Sequence, residues 1–269
     1  MSRASYQRFT GSGAEHYQRY FVPAIATPVS VDLLRTADLR RGERVLDVAC
    51  GTGVIARLAA ARVGAEGAVT GLDIAPEMID VAIATEAADA PSIEWRVGDA
   101  TAMPFDAATF DVVLCQMGLM FMDDRSAAAT EMHRVLASGG RVVVNTPGTI
   151  HRLFELMDEG IARHIDPELA RFVNAVFSLH DPDVVAGLLR DAGFADVAAT
   201  VTTVTLRLPA PVDFLWQYIN LTPMGPMVAD APDAARSAME RQVVESWQPF
   251  VVDGGMSIEQ QMVIASGHR

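Results

Sequence analysis

Val45-Leu46-Asp47-Val48-Ala49-Cys50-Gly51-Thr52-Gly53 decides the fold. An apolar run of strand type ends in a turn that carries two glycines, and a helical pattern, Val54 to Val63, follows at once. A second apolar run, Ala68 to Leu72, ends in the carboxylate of Asp73, twenty positions after Gly53. Glycine lets backbone approach a ligand where a Cβ would clash. A carboxylate at the end of the next strand is placed to accept hydrogen bonds from two ribose hydroxyls. The stretch reads as a cradle for an adenosine-containing cofactor.

Two cofactors fit the turn alone. Gly51-x-Gly53-x-x-Ala56 satisfies the loose dinucleotide fingerprint, and Asp73 has the spacing expected for NAD. S-adenosylmethionine is the other, and the neighbouring segments choose between them. Asp47 to Gly53 has the form acidic-x-(Gly/Ala)-x-Gly-x-Gly. Gly71 to Met78 (Gly-Leu-Asp-Ile-Ala-Pro-Glu-Met) follows, then Gly98-Asp99-Ala100 with Met103-Pro104-Phe105, then Phe110 to Gln116, then Arg134 to Val144. These five segments, in this order over roughly a hundred residues, resemble the motifs of class I S-adenosylmethionine-dependent methyltransferases. The resemblance covers about residues 14–148 and lies nearest the small-molecule group that includes the ubiquinone and menaquinone C-methyltransferases. Ala49 stands where many members have glycine.

The resemblance implies a role for each segment. The turn from Ala49 through Gly51 to Gly53 comes close to the methionine portion of S-adenosylmethionine, and Asp47 anchors that turn or receives the cofactor ammonium. Asp73 binds the ribose diol and Ile74 packs on adenine. Asp99 accepts the adenine amino group, since a carboxylate only accepts hydrogen bonds, and the Ala100 amide donates to a ring nitrogen. Gln116 points toward the methionine end, with Met78 and Met117 around adenine and the sulfonium. Plainer readings stand beside these. Asp47 also fits a loop anchor, Asp73 a helix N-cap ahead of Pro76 and Glu77, and Asp99 a turn initiator. Cys50 and Cys115, in apolar strand contexts, read as buried small hydrophobes.

Strand patterns over 44–49, 68–72, 93–97, 111–115, 140–145, 196–208 and 258–266 alternate with helical patterns over 54–63, 76–89, 125–137 and 182–192. This predicts an α/β architecture, a doubly wound, mostly parallel seven-stranded sheet. By resemblance it is the Rossmann-like methyltransferase fold, whose last two strands form an antiparallel hairpin edge. At 269 residues, half of them apolar, the chain is expected to be a single methyltransferase domain.

Three segments fall outside the sheet: residues 1–30, 148–180 and 210–250. They are helical and rich in aromatic residues, among them Tyr6, Phe9, Tyr17, Tyr20, Phe154, Phe177, Trp216 and Trp247. Ligands of open α/β sheets bind beyond the carboxyl ends of the strands, so these segments are expected to form a lid over the acceptor site. Their character favours a hydrophobic or aromatic acceptor; the plainer reading is that the residues bury one another.

A formal charge of −13 disfavours nucleic acid and anionic membranes as partners. No run of eighteen apolar residues is present, so no membrane span is expected. Two cysteines and an N-terminus without an apolar signal segment suggest a reducing, cytoplasmic setting. The oligomeric state is left open, a homodimer included. The expected activity is methyl transfer to carbon or oxygen of a small molecule, achieved mainly by positioning, because the sulfonium is already a good leaving group. His16, His151, His164 and His180 are candidate bases, while His133 and His268 read as surface and tail. No His/Cys cluster is recognisable, so no metal is expected. An NAD-dependent oxidoreductase, or a non-methylating S-adenosylmethionine-binding protein, are the alternative readings.

Overall fold

The computed structural model describes residues 12–87 and 91–269. In chain order, α1 (Gly13–His16) runs through a π-helical stretch at Tyr17–Ala26 into α2 (Thr27–Ala37). There follow β1 (Arg44–Val48), α3 (Val54–Val63), β2 (Ala68–Asp73), α4 (Pro76–Ala84), β3 (Ile93–Val97), β4 (Phe110–Gln116), α5 (Arg125–Val135) and β5 (Leu136–Pro147). The chain continues with α6 (Arg152–His164), α7 (Ala170–Val176), α8 (Pro182–Asp191), β6 (Ala195–Leu208), α9 (Pro211–Asn220), α10 (Met224–Asp230) and α11 (Asp233–Ser246). It ends with β7 (Val251–Val252) and β8 (Gly255–His268). Tyr6 and Phe9 lie outside the described residues.

Two compact units divide these elements. The sheet unit comprises Val29–Thr149, Leu179–Thr202 and Met262–Arg269, and the helical unit comprises the described residues up to Pro28, Ile150–Ser178 and Thr203–Gln261. Strands β6 and β8 each contribute residues to both.

The strand order is β3-β2-β1-β4-β5-β8-β6, with β7 paired to β8. Strands β1 to β5 are mutually parallel, and β8 runs antiparallel to β5 from Arg141↔His268 to Pro147↔Met262. Inserting the last strand between β5 and β6 departs from a continuous parallel 3-2-1-4-5-6 dinucleotide sheet. Strands β1 and β4 are buried on both faces, as a covered parallel sheet requires. Leu33 and Leu34 of α2 and Ile55, Ala59 and Val63 of α3 cluster with Val45, Val69, Val112, Leu114 and Val143 of the sheet. Each fully buried Leu or Ile contributes about 1.5–3 kcal/mol by leaving water.

Local chemistry sets the helix ends. α8 starts where the Asp181 carboxylate accepts the Asp183 N–H at 2.9 Å, with Pro182 first in the helix, and it stops before Gly193 at φ +98°. The helical pattern over 76–89 is longer than α4, which ends at Ala84. There the Thr85 hydroxyl donates back to the Val81 carbonyl at 2.8 Å, and the Arg57 guanidinium donates to that hydroxyl at 3.2 Å. The fifth strand begins before residue 140, at Leu136, which pairs with Phe110 ahead of an irregular register. The two-residue β7 is an eighth strand beyond the seven expected.

In the helical unit the aromatic side chains meet each other. Phe154 of α6 lies 5.6 Å from Phe177 and 5.5 Å from Tyr218, and Phe214 lies 5.7 Å from both Tyr218 and Trp247. Trp247 donates its indole N–H to the Leu153 carbonyl at 2.8 Å. Val243 of α11 occupies the space a Cβ at Gly160 of α6 would need, so glycine is what lets these helices approach. Pro23 sits in the π-helical stretch, where the shifted hydrogen-bond ladder tolerates a residue without an N–H. No helix among the described residues is long and apolar enough to cross a membrane.

Candidate active site

The parallel register brings the sequence-selected residues to one edge of the sheet unit. Val48 of β1 pairs with Leu72 of β2, Asp73 with Val97 of β3, and Gln116 of β4 with Asn145 of β5. The residues just past these positions share the carboxyl edge: the Ala49 to Gly53 turn, Ile74, Asp99, Ala100 and Met117. Met78 stands half-buried in the first turn of α4, just beyond β2.

Asp47 is 1% exposed, and its Oδ2 accepts the Ala56 N–H at 2.9 Å. That N–H belongs to the first turn of α3, where amides have no helical acceptor, so Asp47 caps the helix from the preceding strand. Its other oxygen, Oδ1, is buried and accepts no hydrogen bond. Burial, more than any neighbour, pushes this carboxyl up to about 8.

The turn itself bends through left-handed conformations: Ala49 has φ +55°, Gly51 φ +54° and Gly53 φ +84°. Gly53 is doubly required, since a Cβ there would also run into the Trp95 indole. The same indole crosses Gly71 of β2, where a Cβ would lie 2.5 Å from the ring. Trp95 is fixed by donating its N–H to Glu86 at 2.7 Å. So Gly71 makes room for Trp95, while Gly51 and Gly53 shape the turn above it.

Asp73 does more than one job. Its Oδ2 accepts the Gly51 N–H at 2.7 Å and its Oδ1 accepts the Ala75 N–H at 3.0 Å. The first bond ties the end of β2 to the glycine turn; the second shapes the approach to α4, whose own N-cap is Ala75 with no side-chain cap. A carboxylate offers about four lone-pair positions, so each oxygen keeps acceptor capacity for a ligand. Burial raises the Asp73 carboxyl above its ordinary range, opposed by these N–H donors. Ile74, next along, is an exposed aliphatic side chain at 68%. Asp99 is exposed and accepts the Thr101 N–H at 2.8 Å, which holds it below the usual carboxylate range.

At the end of β4, Met117 adopts φ +50°. Its N–H donates to both the backbone oxygen and Oδ1 of Asn145, at 3.0 and 3.1 Å. The thiols are buried and free, with burial pushing Cys50 well up and Cys115 up to about 12. They are packing groups, Cys115 within β4 and Cys50 in the turn after β1.

The histidines are dispersed. In the helical unit, His16 Nδ1 lies 3.2 Å from the Asn220 carbonyl and His164 Nε2 lies 2.8 Å from Gln242 Oε1. His151 accepts the Leu153 N–H at 3.1 Å to cap α6, and burial lowers its pKa. In the sheet unit His133 is not a simple surface residue. It stands edge-on to Phe194 at 5.0 Å, and burial lowers its pKa. His180 and His268 are exposed. No group of three or more His, Cys, Asp or Glu among the described residues is arranged to hold a metal ion.

Sequence reasoning missed Trp95, Asn145 and Gly118. The first two face known motif residues across parallel strands, Gly71↔Trp95 and Gln116↔Asn145, so register counting from the strand ends was the available signal.

This edge suits S-adenosylmethionine better than a dinucleotide. Asp73 and Asp99 present carboxylate oxygens at this edge, the acceptors that a ribose diol and an exocyclic amine call for. A pyrophosphate needs the free amides of a helix N-terminus, and Asp47 already holds one of those of α3. Fold and edge together define a nucleoside-binding α/β transferase of the methyltransferase type.

Residues 45–140 match the family described as "Methyltransferase domain". Nocamycin O-methyltransferase of Saccharothrix syringae is 34% identical over 208 residues, 72% of this chain and 74% of its own. Demethylmenaquinone methyltransferase of Staphylococcus epidermidis is 31% identical over 177 residues, 61% of this chain and 73% of its own. Phosphoethanolamine N-methyltransferase 2 of Haemonchus contortus, solved with phosphomonomethylethanolamine and S-adenosylhomocysteine, shares the fold. Its TM-score is 0.59 at 19% identity, over 100% of this chain and 60% of that one. The chain belongs to the S-adenosylmethionine-dependent methyltransferases, and its cofactor is S-adenosylmethionine.

Proposed function

We propose that this methyltransferase alkylates carbon or oxygen of a small hydrophobic or aromatic molecule, and that the helical unit selects that molecule. The observation that carries the reading is the division of labour along the chain. The five motifs lie in the sheet unit, whereas the aromatic segments gather in the helical unit. Two relatives, named for nocamycin O-methylation and for demethylmenaquinone, support a small acceptor of this character. The formal charge of −13 supports a partner other than nucleic acid.

In this reading Asp73 binds the ribose hydroxyls and Ile74 covers adenine. Asp99 and the Ala100 amide read the adenine edge, and the turn of Ala49, Gly51 and Gly53 approaches the methionine portion. Asp47, Gln116, Met78 and Met117 complete the surroundings. S-adenosylmethionine supplies the electrophilic methyl; the protein aligns the acceptor with it and excludes water. No general base is assigned, and the free buried thiols suit a cytoplasmic setting.

The test is S-adenosylhomocysteine release on incubating the protein and S-adenosylmethionine with a panel of phenols, hydroquinones, amines and carboxylates. Turnover confined to phenols or hydroquinones is the expected result. Turnover confined to amines overturns the acceptor class. Cofactor binding with no turnover across the panel favours a non-methylating role.

A further inference from the structure

We infer that Asn145 is a positioning residue for the cofactor, holding the turn after β4 in a conformation its own sequence disfavours. The inference rests on the proposed placement of the cofactor methionine end beside Gln116 and Met117.

Met117 is a non-glycine residue at φ +50°. An unbranched side chain there crowds the following carbonyl, and left alone the residue would occupy right-handed or extended wells. Strained positions of this kind persist only where the surroundings over-determine them. Here the restraint is Asn145, which is 1% exposed. Its Oδ1 and its backbone oxygen share the Met117 N–H, at 3.1 and 3.0 Å. Its Nδ2 donates to the Val29 carbonyl of α2 at 3.1 Å and lies 3.5 Å from Gln116 Oε1. Asn145 thus bonds to the last residue of β4 and the first beyond it, and anchors them to a helix in the same unit.

The side chain is chemically specific for this task. An amide presents an acceptor and a donor on one planar group. Aspartate keeps the acceptor but, ionised, cannot donate to Val29. Leucine keeps the approximate volume and does neither. Because Asn145 is buried behind the strand end, it acts through Gln116 and Met117 and does not touch the reacting atoms.

If the binding-competent turn must be selected from a free equilibrium, apparent affinity falls by the fraction of molecules that hold it. Methionine disfavours the left-handed well by roughly tenfold, whereas glycine enters it about as readily as the right-handed one. Loss of the restraint should therefore matter more with methionine at position 117 than with glycine.

The experiment measures S-adenosylhomocysteine affinity by titration calorimetry for the parent, Asn145→Leu, Asn145→Asp, Met117→Gly, and each Asn145 substitution combined with Met117→Gly. Folding is checked by circular dichroism, and Asn145→Asp keeps the test open should Asn145→Leu fail to fold. Asn145 substitution in the parent background should weaken binding about tenfold, and in the Met117→Gly background only two- to threefold. Equal losses in the two backgrounds would show a packing role and overturn the proposal, as would parental affinity in the folded single variants. A parent that binds no S-adenosylhomocysteine would overturn the cofactor placement itself, and this proposal with it.

Discussion

Ala49 and Gly118 are fitted to each other. A Cβ built on Gly118 would lie 2.5 Å from the Cβ of Ala49 and 3.1 Å from the Cys115 sulfur. The turn after β1 and the turn after β4 therefore touch, and only one of the two can carry a side chain. Here the methyl group sits on Ala49 although that residue has φ +55°, and Gly118 supplies the space.

Gly118→Ala should destabilise the protein by about 1–3 kcal/mol through overpacking. Ala49→Gly should be close to neutral or stabilising, because it relieves a left-handed alanine while adding backbone freedom. The double variant should recover most of the Gly118→Ala loss, a coupling expected of residues in contact. Urea unfolding midpoints of the four proteins decide this. Strict additivity would mean the two turns can separate without cost.

Asp73→Ala should weaken S-adenosylhomocysteine binding at least tenfold, since hydrogen bonds to a charged group are worth roughly 1.5–3 kcal/mol. It should also lower stability, because the Gly51 and Ala75 N–H groups lose their acceptor. Binding by calorimetry and unfolding by urea should both change. Unaltered affinity alongside lowered stability would reduce Asp73 to a purely structural bridge.

Asp47 ties stability to pH. Its folded-state pKa stands near 8, against about 3.9 for an unfolded aspartate. Between those values the folded state binds a proton that the unfolded state has lost, so this residue's contribution to stability falls as pH rises. The unpartnered Oδ1 is the natural seat of that proton, because Oδ2 already accepts from Ala56. Asp47→Asn should flatten this part of the stability profile, so that the variant gains on the parent at pH 8 relative to pH 5. Parallel profiles from urea midpoints at the two pH values would show that the Asp47 charge is compensated.

The cradle was legible because its signals are local: a strand-type run, a turn that needs glycine, and a carboxylate at the end of the next strand. What escaped depends on register. Trp95 explains why Gly71 and Gly53 are bare, and Asn145 explains how Met117 tolerates its backbone, yet each is separated in sequence from the residue it serves. The sequence marked 148–180 and 210–250 as helical and aromatic. It did not say that Phe154 would face Phe177 and Tyr218, since that follows from how three helices meet. The end of α4 likewise depends on a guanidinium from α3 reaching the Thr85 hydroxyl.

The aromatic residues of the helical unit supply the last prediction. Phe154, Phe177 and Trp216 are buried, Phe154 sits among three other rings, and Trp216 donates its indole N–H to Glu240 at 2.5 Å. All three are core side chains of the helical unit, so truncation to alanine should cost about 3–5 kcal/mol each. Selection of the acceptor by this unit is therefore better probed with smaller changes. Phe154→Leu and Phe177→Leu keep an apolar side chain but alter its shape, and should leave most of the fold in place. If the helical unit selects the acceptor, these variants should bind S-adenosylhomocysteine like the parent while their turnover shifts between larger and smaller phenolic or quinol acceptors. Turnover that follows the parent across the whole panel, in variants with unchanged melting temperatures, would remove Phe154 and Phe177 from acceptor choice and leave them as packing alone.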